Sequence, residues 1–429
     1  MIHMPMDSRS PRENRMGSRF DVVVIGGGVV GMSCAHYLQL QGASVCIVDR
    51  GRYTEGASTG NAGMIVPSHI IPLSAPGVIA KGMKWLMNPE SPLYIKPSAN
   101  PKFMKWLWLF QKHCTEEHVR HAVPILRDMS IASRDLLTEM CSLAGFSDVG
   151  LEHDGLLMLH NSEKAAKDNE ELAVIAAEAG LEIETLDRDG TLALEPALKS
   201  DLTGSVFFRQ DASIHPERLL RALESSLVSR GVTFMDGEIT KLGKSGNRLV
   251  HATGTMGEIA ADHFVIAAGS WTPHLVAGLG LQLPVQPAKG YSVTVPAPDS
   301  KMRIPCVLTD EKLTITPMPG CVRFGGTLAL QGFDDSIDER RARPLRRQAE
   351  KYFGPETVAS VKTWSGFRPA SPDGLPYIDA VPKINNAFVA SGHGMMGVTL
   401  GPVTGKLIAE LISGIEPTLD MSSLKADRH

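Results

Sequence analysis

Phe20-Asp-Val-Val-Val-Ile-Gly26-Gly-Gly28-Val-Val-Gly31 decides the fold of this 429-residue chain, because it reads as a strand, a glycine turn and the start of a helix. The branched run Val22 to Ile25 has the continuous apolar character of a strand buried on both faces. Each glycine meets a steric demand: Gly26 allows a tight turn, Gly28 lets backbone approach a pyrophosphate, and Gly31 lets helix pack on strand. The helix that follows, around Met32 to Gln41, offers unpaired NH groups and the positive end of its dipole to that turn. Gly42 ends the helix, Ala43 to Val48 reads as a second buried strand, and Asp49 falls near the spacing at which an acidic side chain takes ribose hydroxyls. The spacing predicts a dinucleotide site built from Gly26, Gly28, Val29, Val30, Gly31, Asp49 and Arg50. A nucleotide-free doubly wound sheet is the structural alternative.

Length suggests roughly two or three domains. Net charge is −4 with both signs dispersed, so no nucleic-acid surface is expected. The six cysteines, Cys34, Cys46, Cys114, Cys141, Cys306 and Cys321, form no CxxC pair and have no histidine at metal-ligand spacing. They read as reduced core residues of a cytoplasmic protein with no metal site. Met1 to Ser18 is polar, lacks the apolar centre of a secretory signal and is expected to be a disordered lead, with Met16 an alternative start. No apolar run reaches the roughly 18 residues that span a bilayer. Phe103-Met-Lys-Trp-Leu-Trp-Leu-Phe110 places aromatics beside lysines, which suits either a buried helix or one lying on a membrane surface.

Past Asp49 the simple alternation of strand and helix stops. Residues 67–101 are rich in Pro, Gly and Ser, with a helix expected near Val78 to Met87. Helical periodicity returns at Val123 to Ala144, Glu163 to Ala179 and Pro216 to Arg230. Strands are expected at Val232 to Met235, Ile239 to Leu242, Leu249 to Thr253 and His263 to Ala267, and they dominate Pro284 to Leu328. The charged stretch Asp338 to Phe353 reads as a solvated helix, and Phe388 to Gly414 as strand, glycine loop and helix. His215, before Pro216, reads as a helix-entry residue and not a ligand. The pattern is a nucleotide domain interrupted by insertions.

Four further segments carry a resemblance. They are Gly56-Ala-Ser58-Thr-Gly-Asn61-Ala-Gly-Met, Val265-Ile-Ala-Ala-Gly-Ser-Trp271, Gly366-Phe-Arg-Pro-Ala-Ser-Pro-Asp-Gly374 and Ser391-Gly-His-Gly-Met-Met-Gly397. With the opening glycine run, the chain resembles the flavin enzymes of the glycine oxidase and D-amino-acid oxidase family from Phe20 to Gly414. Ala75-Pro-Gly77, Lys84-Trp85-Leu, Trp106-Leu-Trp108 and Lys289-Gly-Tyr291-Ser fall in the order shown by the bacterial D-amino-acid dehydrogenases. Dehydrogenases of D-hydroxyproline look similar too. Asp211-Ala-Ser-Ile-His215-Pro departs from that subgroup toward the general family pattern.

The resemblance implies an α/β fold: an interrupted Rossmann-like FAD-binding domain with a second α+β substrate domain containing a largely antiparallel sheet. The boundaries expected are 1–18 lead, 19–66, 150–280 and 361–416 FAD-binding, 67–149 and 281–360 substrate-binding, and 417–429 tail. It also implies FAD as cofactor. Related sarcosine oxidases tether their flavin through a cysteine near the segment matching Trp364 to Asp373, and this chain has none there, so the FAD is expected to be non-covalent. Beyond the glycine run, the implied cofactor contacts are Ser58, Thr59, Asn61, Ala62, Gly63, Ile239, Ala268, Gly269, Gly394, Met395, Met396, Gly397, Val398 and Thr399.

Oxidising an amino acid requires the alpha hydrogen to be held over the flavin while water is kept out. A planar guanidinium grips a carboxylate with two parallel bonds and fixes its rotation, and Arg368 matches the family's carboxylate-binding arginine. Tyr291 reads either as a wall of the substrate pocket or as a packing tyrosine. His393 reads as a flavin-positioning residue, with acid–base work as the alternative. The partners expected are an amino-acid substrate, D-amino acids first, and a quinone or respiratory electron acceptor. The location expected is cytoplasmic, with peripheral contact at the inner membrane face allowed by Phe103 to Phe110. An oxygen-using oxidase of the glycine or sarcosine type is the nearest alternative.

Overall fold

The computed structural model describes residues 19–51, 56–79, 91–199 and 201–429, so the expected lead, Lys84-Trp85 and most of the Val78 to Met87 helix lie outside the described residues. Its first layer is a six-stranded sheet in the order Tyr377–Ala380, Ala387–Ser391, Ala261–Ile266, Phe20–Ile25, Val45–Asp49 and Thr233–Asp236. Five of these strands run parallel and Tyr377–Ala380 closes one edge antiparallel. Side chains alternate across a strand, and here the alternation buries both faces. Val22, Val24, Val45 and Ile47 pack under the helices Val29–Leu40, Pro216–Ser229 and Gly397–Ser413. Val23, Ile25, Cys46 and Val48 pack instead against Leu242 and Leu249 of a small antiparallel sheet, Ile239–Ser245, Arg248–Gly254 and Gly257–Ile259.

The second layer is a nine-stranded, mostly antiparallel sheet. Its order is Thr363–Ala370, Gln286–Pro296, Cys321–Leu330, Leu313–Met318, Cys306–Leu308, Leu156–His160, Gly204–Phe208 and Ile183–Asp187, with Leu93–Ile95 paired beside Cys321–Leu330. The expected architecture is therefore present, but three boundaries move. Residues 156–208, expected with the FAD-binding part, enter this second sheet because Leu157, Met158 and Leu159 pair with Cys306, Val307 and Leu308. Thr363–Ala370 likewise pairs along Gln286–Pro296. Helix Glu116–Cys141, expected with the substrate part, buries Ala122, Leu126, Met129, Leu137 and Met140 in the core beneath the parallel sheet. The tail is packed as well: Leu424 and Ala426 are buried and Arg428 pairs with Asp373 at 2.7 Å.

His215 holds the N-cap position of helix Pro216–Ser229. The helix Pro101–His113 is two-faced. Phe103, Trp106, Leu109 and Phe110 are buried, while Met104 and Trp108 are exposed. The expected charged helix is Glu339–Phe353, though Arg341 is buried on it, with its guanidinium 4.1 Å from the Tyr94 ring centre. All six cysteines are unpaired, and no group of His, Cys, Asp and Glu among the described residues could hold a metal ion. Among the described residues no helix is long and apolar enough to cross a membrane.

Candidate active site

One cavity of about 910 Å³ lies where the carboxyl ends of the parallel strands meet the second sheet. That is the position at which open α/β sheets take ligands, and the volume is near the top of the roughly 300–1,000 Å³ usual for small-molecule sites. At one end Gly26 has φ +114°, and a Cβ there would sit 2.4 Å from the Ala267 carbonyl oxygen. Gly28 lines the cavity as the N-cap of helix Val29–Leu40 and has no side chain of its own to cap it. The Val29 NH donates to Ser58 Oγ at 3.1 Å. Asp49 accepts from the NH groups of Gly27 (2.7 Å) and Gly51 (3.1 Å), which fixes its carboxylate at the cavity edge. Arg50 turns its guanidinium onto the Trp271 ring, 3.8 Å from the centre, and pairs with Glu238. A helix start with glycine at its N-cap, glycine backbone and a fixed acid suit a pyrophosphate and a ribose.

Two loops meet at the middle of the cavity. Asn61 accepts from the Gly63 NH at 2.8 Å and donates to the Met395 carbonyl at 3.2 Å, tying residues 58–63 to residues 394–397. Arg323 braces the first loop from below. Its Nη1 donates to the carbonyls of Thr59 (2.9 Å) and Asn61 (2.5 Å), and its Nε to Thr294 Oγ1 at 2.9 Å. Gly60 is a glycine for a visible reason: a Cβ would penetrate the Trp364 indole at 2.1 Å.

Of the residues expected at the cofactor, Gly26, Gly28, Val29, Val30, Asp49, Arg50, Ser58, Asn61, Ala62, Ile239, Ala268, Gly269 and 394–398 line this cavity. Four do not. Gly31 is packed against the strand, where a Cβ would lie 1.9 Å from the Gly26 oxygen. Gly63 turns against Ile214, and Thr59 meets Arg323 through its carbonyl. The Thr399 hydroxyl donates to the Met64 carbonyl at 3.2 Å, so it braces a strand instead of facing the cavity.

At the other end stands Arg368. Burial draws its pKa down to about 10, and no carboxylate pairs with it among the described residues. Its Nη1 donates to the Thr327 carbonyl at 2.8 Å. That carbonyl is aimed by a β-bulge: between the pairs Lys289–Ala329 and Tyr291–Gly326 the strand Cys321–Leu330 carries one extra residue. Thr327, in the bulge, has φ +54°, a conformation that costs a branched residue about 1–3 kcal/mol. Opposite it Gly290 leaves room for the guanidinium, since a Cβ there would lie 2.2 Å from Arg368 Cζ.

The register sets the face that Tyr291 takes. Ala288 and Gly290 pair with Arg368 and Gly366, whereas Tyr291 pairs with Ser365 and so turns to the opposite face. Its ring borders the cavity from the core beside Val293, Phe324 and Leu345. Tyr291 thus packs in the core and borders the cavity at once, which keeps both readings of it. His393 lines the cavity but holds Thr404 Oγ1 at 2.9 Å, and burial pushes its imidazole down to about 3. The ring is therefore neutral at any working pH. His393→Asn is expected to leave the pH profile of turnover where the wild type has it; a displaced limb would give the ring a proton-transfer role.

Sequence reading missed Arg323, Thr327, Trp364 and His69, all of which brace or line the site. An arginine within the apolar run Cys321-Val-Arg-Phe was the one available signal.

Comparison with known proteins agrees with this geometry. A family model described as FAD dependent oxidoreductase (DAO) matches residues 21–411. The D-amino acid dehydrogenase of Bradyrhizobium diazoefficiens is 34% identical over 424 residues, covering 95% of this chain and 98% of that protein. The D-amino acid dehydrogenase of Agrobacterium fabrum is 33% identical over 423 residues, covering 95% and 99%. Among solved structures, glycine oxidase from Geobacillus kaustophilus superposes with a TM-score of 0.76 at 26% identity, covering 96% of this chain and 99% of that one.

Proposed function

Given that the chain belongs to the FAD-dependent oxidoreductase (DAO) family, we propose that it oxidises D-amino acids and passes the electrons to a quinone-type acceptor. The observation that carries this reading is Arg368, a half-buried guanidinium with no acid partner among the described residues, in the same cavity as the dinucleotide turn. A cation so far withdrawn from water gains from an anion that meets it. A substrate carboxylate is the anion of the right shape, since the guanidinium fork accepts it with two bonds.

When bound, FAD supplies the acceptor for the alpha hydrogen and its electron pair. The chain does the rest. Arg368 fixes the carboxylate, the Thr327 bulge and Gly290 fix Arg368, and Trp364 closes the wall over Gly60. The product imine is then hydrolysed by water to a 2-oxo acid and ammonia. The names of the D-amino acid dehydrogenase relatives support the choice of substrate. Cyclic D-amino acids such as D-proline or hydroxy-D-proline fall within the same class.

Non-covalent FAD is supported by a cavity wall that contains no cysteine among the described residues. Acid precipitation should release all yellow colour into the supernatant, and colour held in the pellet would count against it. Exposed Met104 and Trp108, with Lys112 Nζ 3.8 Å from the Trp108 ring centre, support peripheral contact with the cytoplasmic face of a membrane, where quinones lie. The likeness to glycine oxidase favours one second reading, an oxidase using oxygen. Enzyme reduced anaerobically with D-alanine separates them. Reoxidation by a short-chain quinone should outpace reoxidation by dissolved oxygen, and rapid peroxide formation would favour the oxidase.

A further inference from the structure

A substrate amino acid arrives as an ammonium, yet oxidation at the alpha carbon needs the free amine. The cavity must therefore remove a proton. His393 and Tyr291 line the cavity too, but His393 leads through Thr404 only to the Leu400 carbonyl and Tyr291 packs beside Val293 and Phe324, so neither has a buried acid behind it. His69 remains. It lines the cavity, while Ser68 beside it and Asp211 beyond are buried, with 2% and 1% of their surface exposed.

The three side chains form a continuous path. His69 Nδ1 is 3.2 Å from Ser68 Oγ, and Ser68 Oγ donates to Asp211 Oδ2. The Ser68 NH also donates to Asp211 Oδ1, at 3.0 Å. Because the Ser68 hydroxyl gives its proton to the carboxylate, it accepts from His69 Nδ1–H, which leaves Nε2 as the acceptor. The antiparallel pairing of Met64–Ile65 with Ala212–Ser213 holds the two segments together.

We propose that His69 takes the proton from the substrate ammonium and passes it through Ser68 to Asp211. This rests on the amino-acid reading above. The ammonium N–H bond breaks as a bond to Nε2 forms, Nδ1 releases its proton to Ser68 Oγ, and the Ser68 proton moves to Asp211 Oδ2. No electrons change hands in this step. The freed lone pair is what lets the alpha carbon give up its hydrogen and electron pair to the acceptor that FAD would supply when bound. Burial suits both ends of the path to this transfer. It lowers His69 to about 4, keeping the imidazole neutral, and raises Asp211 to about 7, so that its carboxylate binds the relayed proton more strongly than an exposed aspartate would. Arg134 of helix Glu116–Cys141 is the charged group acting on Asp211, and burial alone acts on His69 among the described residues.

The test is anaerobic rapid mixing of flavin-loaded enzyme with D-alanine, D-proline and glycine, following flavin bleaching against pH. In the wild type the rate should level off near neutrality. His69→Gln should be about 100-fold slower at neutral pH, in the range of a general base. Its rate should then climb with pH as the free amine of the substrate appears. Asp211→Asn keeps an acceptor for the Ser68 NH but cannot take the proton, and should show the same displaced profile. If His69→Gln loses its flavin, Ser68→Ala decides the matter by the same displacement. Variant profiles that superimpose on a bleaching wild type overturn the relay alone. A wild-type flavin left oxidised by all three probes overturns the amino-acid reading and the relay with it.

Discussion

Arg368→Lys is expected to lower kcat/KM by roughly 100- to 1,000-fold while flavin content stays at the wild-type level. Truncating one partner of a buried, hydrogen-bonded charge pair costs about 2–5 kcal/mol, and about 3–4 kcal/mol corresponds to that range of rate. Lysine keeps the charge but loses the planar fork, so it cannot match two carboxylate oxygens at once. Most of the loss should fall on KM, because the carboxylate is gripped in the ground state and the transition state alike. The surroundings sharpen the expectation. The guanidinium is held by the Thr327 carbonyl at 2.8 Å and occupies space that only Gly290 leaves open, so an ammonium has no equivalent seat. Wild-type kinetics in this variant would remove Arg368 from the substrate site.

Gly31→Ala should destabilise the apoprotein by roughly 3 kcal/mol, the upper part of the range for an overpacked interior. The added Cβ would lie 1.9 Å from the Gly26 oxygen, which is backbone and cannot rotate away, so helix and strand must separate. Gly28→Ala is the matched comparison. There the nearest atom is Ser58 Oγ at 3.3 Å, a side chain, and Gly28 itself lines the cavity. That variant should keep the unfolding midpoint of the apoprotein and lose flavin affinity. Denaturant unfolding of both apoproteins, with flavin content measured before extraction, checks the pair. Equal midpoints for Gly31→Ala and wild type would contradict the packing account.

These two substitutions also show where the sequence was readable. The parallel sheet could be read because its strands are unbroken apolar runs and its glycines sit at fixed offsets, as the 1.9 Å and 2.4 Å approaches at Gly31 and Gly26 explain. Leu156–His160 and Gly204–Phe208 are just as apolar, but their sheet partners are remote. Leu157 pairs with Cys306 about 150 residues along the chain, and periodicity carries no information on such pairing. The same limit explains Tyr291. Its neighbours Lys289 and Gly290 suggested a substrate wall, yet which face a strand residue takes depends on register, and the register here includes a bulge. Arg368 could be placed from its motif, whereas Thr327 could not: a threonine with positive φ leaves no mark in the sequence. His69 escaped for a related reason, since its importance comes from Asp211, which lies 142 residues away in sequence and meets it through Ser68.

The central claim is that this cavity presents the alpha carbon of a D-amino acid to FAD. Anaerobic addition of paired D and L enantiomers of alanine, proline and methionine to the purified yellow protein tests it most directly, read as loss of flavin absorbance. Bleaching by D enantiomers with the L enantiomers inert is the predicted result. Bleaching by L enantiomers alone, or by no amino acid, would contradict it.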